Sequence, residues 1–406
     1  MEPEATARLE KAHCRRVAAL SVEMARQLEL APVEVAVLEQ AAMVHHHPRE
    51  LLVEDVSAPG WHIHGERFAS DVARQAGDLF HQPAGASPLM NILELANGFD
   101  ERLEYAPFAS DPDYDILADM PALVEAGVYS FESVSALDSL RTVKERALAA
   151  LFQKAPVYPA VLLEAIALSS DPEVPFSKLE EVFSRDQVLA GLLIRAANSG
   201  LNGRRERVSA IRQALVLVGL ETSRKLIAAA AVKPLVASKG LEKLWRHSLE
   251  ISELAESLAG ISSRANPMEA FLAGLVHDVG RVVMSMVGGK PAETYARLIE
   301  RGCEPVFAEY VLCGTDHGTI GARLLRYWKF PEQLVEAVAS HHQPEHSTSE
   351  LAALLYLAEY LSGSEEDLSS VARLRAALER VGMSFETLKS RGTPGVGSFG
   401  RLIEVA

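Results

Sequence analysis

A chain of 406 residues is long enough for two or three domains, and its 48% hydrophobic content supplies cores for them, which excludes a disordered chain. The formal charge of −15 argues against a nucleic-acid backbone as the main partner, since such partners are held by clustered Lys and Arg. Cys14, Cys303 and Cys313 show no CxxC spacing, the polar start MEPEATARLEKAHC has no signal-peptide core, and apolar runs such as LIAAAAV from Leu226 are far too short for a bilayer. These features lead to the expectation of a cytoplasmic protein with reduced thiols and no membrane partner.

Residues 11–44 predict two helices. The first carries Val17, Leu20, Met24 and Leu28 on one side; the second, after Pro32, runs up to His45. His45, His46 and His47 form either a transition-metal tract or a helix end whose imidazoles face the C-terminal dipole. Turn formers crowd the stretch from Asp55 to Pro88 and again from Ala106, so both read as loops or short helices. NILELANGFDERLEY, with Asn97, is helical, as is EAGVYSFESVSALDSL, with Ser130 or Glu132 near its start. RTVKERALAALFQKAPVYP then links two halves, its helix ending before Pro156.

Beyond Pro159, AVLLEAIALSSDPEVP predicts a helix and a turn. The next helical stretch opens with Ser177 and Glu180 in a capping-box pattern and ends at Asn198-Ser199-Gly200, a turn sequence. Arg185, Asp186, Asn198 and Ser199 read as structural, with Arg185 and Asp186 able to pair. Arg204, Arg205 and Arg207 are interrupted by Glu206 and lack interleaved aromatics, as in a solvated loop.

The chemistry-bearing residues come later. In LEKLWRHSLEISELAESL, His247 shares a face with Ile251 and Leu254. In AFLAGLVHDVGR, the Asp278 carboxylate projects from the face of Phe271, Gly274 and Leu275, beside His277. A charge on an apolar face needs a partner, which a divalent cation or a polar helix cap would both provide. His317 opens DHGTIGARLLRYW, His341 and His342 end PEQLVEAVASHH, and Glu359 stands within the apolar stripe of ELAALLYLAEYL. Five imidazoles and two carboxylates thus arise from successive helical segments. One or two further helices follow in 364–392, before a Gly-rich end.

The order His, His-Asp, His, His-His, acid resembles the ligand series of the HD superfamily of metal-dependent phosphohydrolases. The stretch ahead of it resembles the HDOD (HD-related output) domain, through Arg185, Asp186, Leu189, Leu193, Asn198 and Ser199 and then Ile211, Ala214, Gly219 and Leu226. The resemblance implies His247, His277, Asp278 and Glu359 around one divalent ion (Mn, Fe, Mg or Ni), and Asp278, His317, His341 and His342 around another. Three positions depart from the superfamily pattern: Glu359 replaces Asp, Arg281 replaces the Lys of HDxGK, and no GYP follows His341-His342. Residues 1–141 resemble an HD domain of HD-GYP type, with His13 and His45 as ligand histidines but His46 and Asn97 in place of the aspartates. That half is expected to keep the packing and lose the site.

The expected fold is all-α, two helical lobes of HD-superfamily type. Residues 1–141 would be a degenerate HD domain, 142–155 a linker, 156–363 an HDOD domain with its HD-like half from about 241, and 364–406 C-terminal helices with a loose tail. Two functions are implied. One is a non-catalytic signalling module with a protein partner or a nucleotide second messenger. The other is a divalent-metal phosphohydrolase of nucleotides or cyclic nucleotides, with Asp278 and Arg281 catalytic. Metal, ligand and oligomeric state stay open.

Overall fold

The computed structural model describes residues 3–45, 62–63, 66–67, 75–76, 78–80, 87–105, 115–143, 145–152, 174–199, 208–236, 241–363 and 371–390. His46 and His47, the breaker-rich stretch from Ala106, the helix and turn expected from Ala160, the Arg204–Arg207 cluster and the Gly-rich end lie outside the described residues.

The fold is all-helical. Its helices are α1 (Pro3–Gln27), α2 (Pro32–Val44), α3 (Pro88–Tyr105), α4 (Met120–Glu125), α5 (Phe131–Leu140), α6 (Glu145–Phe152), α7 (Phe176–Arg185), α8 (Gln187–Ser199), α9 (Ile211–Val218) and α10 (Leu220–Val236). They continue as α11 (Glu242–Ser262), α12 (Pro267–Val276), α13 (Gly280–Met284), α14 (Lys290–Glu300), α15 (Pro305–Cys313), α16 (His317–Tyr327), α17 (Glu332–Ser340), α18 (Glu350–Ser362), α19 (Val371–Val381) and α20 (Phe385–Lys389). Extended pairing among the described residues is confined to His62–Ile63 against Glu66–Arg67, antiparallel. Among them, too, no helix is long and apolar enough to cross a membrane.

The chain forms two compact units, neither continuous in sequence. The first takes residues 1–150 and 286–316, so α14 and α15 fold into it although the sequence places them inside the HDOD stretch. Its core joins Leu20 and Met24 of α1, Leu38 of α2, Ile92 and Phe99 of α3 and Leu137 of α5 to Leu298, Phe307 and Val311 of the inserted pair. Two acids are buried there with guanidinium partners, as a buried charge requires. Glu23 accepts from Arg297 at 2.9 Å, and Asp100 accepts from both Nε (2.6 Å) and Nη2 (2.9 Å) of Arg16.

The second unit holds most of the remainder and centres on α18, which is buried along nearly its whole length from Leu351 to Glu359. A helix apolar all round can only sit inside a bundle. Ser349 caps it by accepting from the Ala352 amide, and Gly363, at φ 68°, ends it in the left-handed region. The side chain of Asn266 does the same for α12, accepting from the Met268 and Glu269 amides.

Two local expectations are corrected in this unit. The Ser177–Glu180 capping box does not form, because α7 begins at Phe176 behind Pro175 and Ser177 lies inside the helix. Arg185 and Asp186 do not pair: Asp186 accepts from the Val188 amide at 2.7 Å, capping α8, while Arg185 pairs with Glu181 one turn back. Asn198 is structural, its amide donating to the Val208 carbonyl (2.9 Å) and its oxygen accepting from the Val208 amide (2.9 Å).

Candidate metal centre

Every one of the seven residues singled out in the sequence stands at or near a helix segment that packs on α18 or on its neighbours. His247 lies in the second turn of α11, Glu359 in the last turns of α18, and His317 is the first residue of α16. His277 closes α12 and His341 closes α17 as C-cap residues, with Asp278 and His342 immediately after them. Glycines set the helix spacing. A methyl at Gly274 would meet the Ser252 backbone, with its amide nitrogen at 2.6 Å, so α12 lies directly on α11 and brings His277 beside His247. A methyl at Gly280 would strike the His317 carbonyl and approach the Gly321 amide to 2.7 Å, which seats the start of α13 on α16.

The side chains converge. Glu359 Oε1 lies 2.9 Å from His247 Nε2 and 2.8 Å from His277 Nε2. Asp278 stands between the two halves of the group: its Oδ2 is 3.6 Å from His247 Nε2 and 3.4 Å from His277 Nε2, and its Oδ1 is 2.9 Å from His317 Nε2. His342 Nε2 in turn lies 2.8 Å from His317 Nε2. Three sets could each hold a metal ion, with donor atoms within 4.8 Å of one another: His247, His277 and Glu359; His277, Asp278 and His341; His317, His341 and His342.

The hydrogen-bond directions carry more information than the distances. His277 Nδ1 lies 2.8 Å from the Gly274 carbonyl, and His341 Nδ1 lies 2.7 Å from the Val338 carbonyl. A carbonyl only accepts, so both Nδ1 atoms carry a hydrogen and each ring turns its Nε2 inward. Neither Nε2 has a hydrogen bond, nor does either oxygen of Asp278, although all four atoms are buried. Such a cluster is costly unless a proton or a cation sits among the lone pairs.

The electrostatics point the same way. Burial works against ionising Asp278, but Arg281, His277 and His317 outweigh it and hold the carboxyl well below its ordinary range. Glu359 is likewise held well below by His247 and His277 despite its burial. Burial would depress His277, yet Asp278 and Glu359 raise it well above an ordinary imidazole. His341, buried among His342, His277 and His317, is pushed well below. Two carboxylates held ionised among imidazoles form a group that could hold a cation. Arg281 Nε stands 3.2 Å from Asp278 Oδ2, at the edge of the group.

The seven side chains singled out in the sequence, three of them from apolar faces and the rest from their order, thus lie in one group. What the sequence did not reveal is the glycine contacts that set the spacing, and the pairing of each Nδ1 with a carbonyl one turn back. Gly274, one turn before His277, and Gly280, two residues after Asp278, were the available signal.

Residues 155–344 match the family model of the HDOD domain. An uncharacterised protein of Treponema pallidum (strain Nichols) is 26% identical over 204 residues, 49% of this chain and 40% of that protein. Ribonuclease Y of Syntrophotalea carbinolica is 29% identical over 149 residues, 36% of this chain and 24% of that enzyme, a relation within the HD superfamily. The chain thus spans two fifths or less of the length of these relatives. The crystal structure of an HDOD domain protein of unknown function from Geobacter sulfurreducens shares the fold, with a TM-score of 0.51 and 24% identity over 60% of this chain and 92% of that one.

Proposed function

We propose that this chain, which carries an HDOD domain over residues 155–344, is a cytoplasmic regulatory protein of bacterial signalling type whose second unit is organised around a divalent-metal centre and does not turn over a substrate. The observation that carries the reading is the convergence of donor atoms of His277, Asp278, His341 and Glu359, all almost wholly buried. His277 and His317 are fully buried, Asp278 and His341 are 1% exposed, and only His247 among the seven reaches the surface appreciably. Three departures from the superfamily pattern support a centre without turnover: Glu359 for Asp, Arg281 for Lys, and no GYP after His341-His342.

His247, His277 and Glu359 would hold one ion and His317, His341 and His342 a second, with Asp278 between them. A bound divalent ion would supply the positive charge that neutralises Asp278 and Glu359 and, as a Lewis acid, would polarise any oxygen that reached it. The chain's own residues do the rest. The Gly274 and Val338 carbonyls fix the tautomers of His277 and His341, and Arg281 buttresses Asp278. Occupancy would join α11, α12, α16, α17 and α18, so a protein partner or a nucleotide second messenger that altered it would change how firmly those helices are held together.

A second reading, a phosphohydrolase acting on a nucleotide or phosphodiester, is favoured by Arg281. Its guanidinium is partly exposed beside Asp278 and suited to a phosphate oxygen. The similarity to ribonuclease Y supports the same reading.

The deciding experiment is elemental analysis of protein purified without chelators, followed by a phosphodiester screen with Mn²⁺ or Fe²⁺ on the parent and on His277→Ala. Stoichiometric metal lost in the variant, with no turnover by either protein, is the expected result. Turnover that disappears with His277→Ala would establish the second reading, and absence of metal from the parent would remove both.

A further inference from the structure

The second unit receives one of its candidate ligands directly from the end of an insertion that folds elsewhere. Residues 286–316, which carry α14 and α15, belong to the first unit, and the next residue, His317, belongs to the second. From this arrangement we propose that α14 and α15 are a relay: how firmly the first unit holds them sets the position of His317, and with it the affinity of the second unit for a divalent ion. The relay presupposes the metal centre proposed above and adds its regulation.

The two ends of the insertion differ in stiffness. Residues 286–289 lead from α13 into α14, and there a methyl at Gly288 or Gly289 would meet nothing within 4 Å. An open glycine pair gives the chain slack on the way in. On the way out, only Gly314, Thr315 and Asp316 separate α15 from α16. This short bridge is pinned by residues of the first unit. The Val143 amide donates to the Leu312 carbonyl at 3.1 Å, and the Arg141 guanidinium fills the space that a methyl at Gly314 would need. The Tyr310 hydroxyl donates to Asp316 Oδ2 at 2.7 Å, and Asp316 is buried. A packed three-residue bridge has little room to absorb a displacement of α15, so His317 must follow it.

The seat of the relay lies wholly within the first unit. Arg297 of α14 donates to Glu23 of α1 at 2.9 Å, and Arg301 after it pairs with Glu39 of α2. Arg16 donates to Glu304, just ahead of α15, at 3.1 Å, and Phe307 meets the Phe99 ring edge-on at 6.1 Å. At the far end, His317 Nε2 lies 2.9 Å from Asp278 Oδ1 and 2.8 Å from His342 Nε2. Helix shifts in switching proteins reach about 1–2 Å, whereas a metal–ligand distance tolerates about 0.2 Å. Loosening the seat therefore weakens the ion assigned to His317, His341 and His342 and spares the one assigned to His247, His277 and Glu359.

Glu23→Gln loosens the seat from a position in α1 that holds no ligand, and Gly288→Ala, on the slack side, is the control. Full-length parent and variants, stripped with chelator, are compared by amide hydrogen exchange and by calorimetric titration with Mn²⁺. In Glu23→Gln the α16 amides should exchange about fivefold faster while those of α7, α8 and α9 keep the parent rate. One of the two Mn²⁺ ions should bind about tenfold more weakly. Gly288→Ala should match the parent in both measurements. Tyr310→Phe, which keeps the ring and removes the hydroxyl that donates to Asp316, should reproduce the effect and decides the matter if Glu23→Gln folds poorly. Faster exchange in α14 with none in α16 would overturn the relay, as would two Mn²⁺ affinities unmoved in both variants. A parent that binds no Mn²⁺ overturns the metal centre and its regulation together, so the two failures are told apart.

Discussion

Glu359 shows what one carboxylate does in the second unit. It lies within 3 Å of two imidazole nitrogens, is almost wholly buried and stays ionised because those histidines favour its charged form. Glu359→Gln keeps the shape and removes the charge, so metal affinity measured by calorimetry should fall by about tenfold or more, with the helical circular dichroism unchanged. Cys313 in the first unit gives a pH test at the same scale. Burial pushes its thiol from 9.0 up to about 12. The unfolded thiol ionises first as pH rises, so this contribution to stability is complete below pH 9 and is lost between 9 and about 12. Urea midpoints should drop across that window in the parent and less so in Cys313→Ala, and iodoacetamide should label Cys313 slowly at pH 8 unless the chain is unfolded.

At the scale of elements, the centre depends on how closely helices approach. α12 lies on α11 where Gly274 faces the Ser252 backbone, and α13 meets α16 where Gly280 faces His317 and Gly321. Gly274→Ala adds one methyl where only backbone can give way, an overpacking change of about 1–3 kcal/mol. Denaturant melts of Gly274→Ala should show a loss of that size, and because α12 must lift, metal retained after gel filtration should fall as well. Gly260→Ala, where an added Cβ meets open space within α11, is the control and should leave metal unchanged.

At the scale of the whole molecule, the first unit is completed by a segment that arrives far along the chain. Leu298, Phe307 and Val311 of α14 and α15 are core residues of that unit, and burying each such side chain stabilises by about 1.5–3 kcal/mol. A fragment of residues 1–150 should therefore lack a cooperative thermal transition, and adding a peptide of residues 286–316 should restore helix content measured by circular dichroism. A sharp melt from the fragment alone would contradict this account of the core.

The sequence by itself determined the all-helical class and singled out seven side chains that the fold brings into one group. An apolar stripe at helical period names the buried face, and a His, Asp or Glu on that face is conspicuous because burial there is costly. It also placed a helix start near Ser130, whose hydroxyl accepts from the Ser133 amide. Only the tertiary structure decided which imidazole nitrogen faces inward, since that follows from carbonyls of particular turns. It alone decided that α14 and α15 complete the first unit. Periodicity reports which face of a helix is buried, but not what lies opposite it; contacts between residues tens or hundreds of positions apart are fixed by packing, which no local pattern encodes.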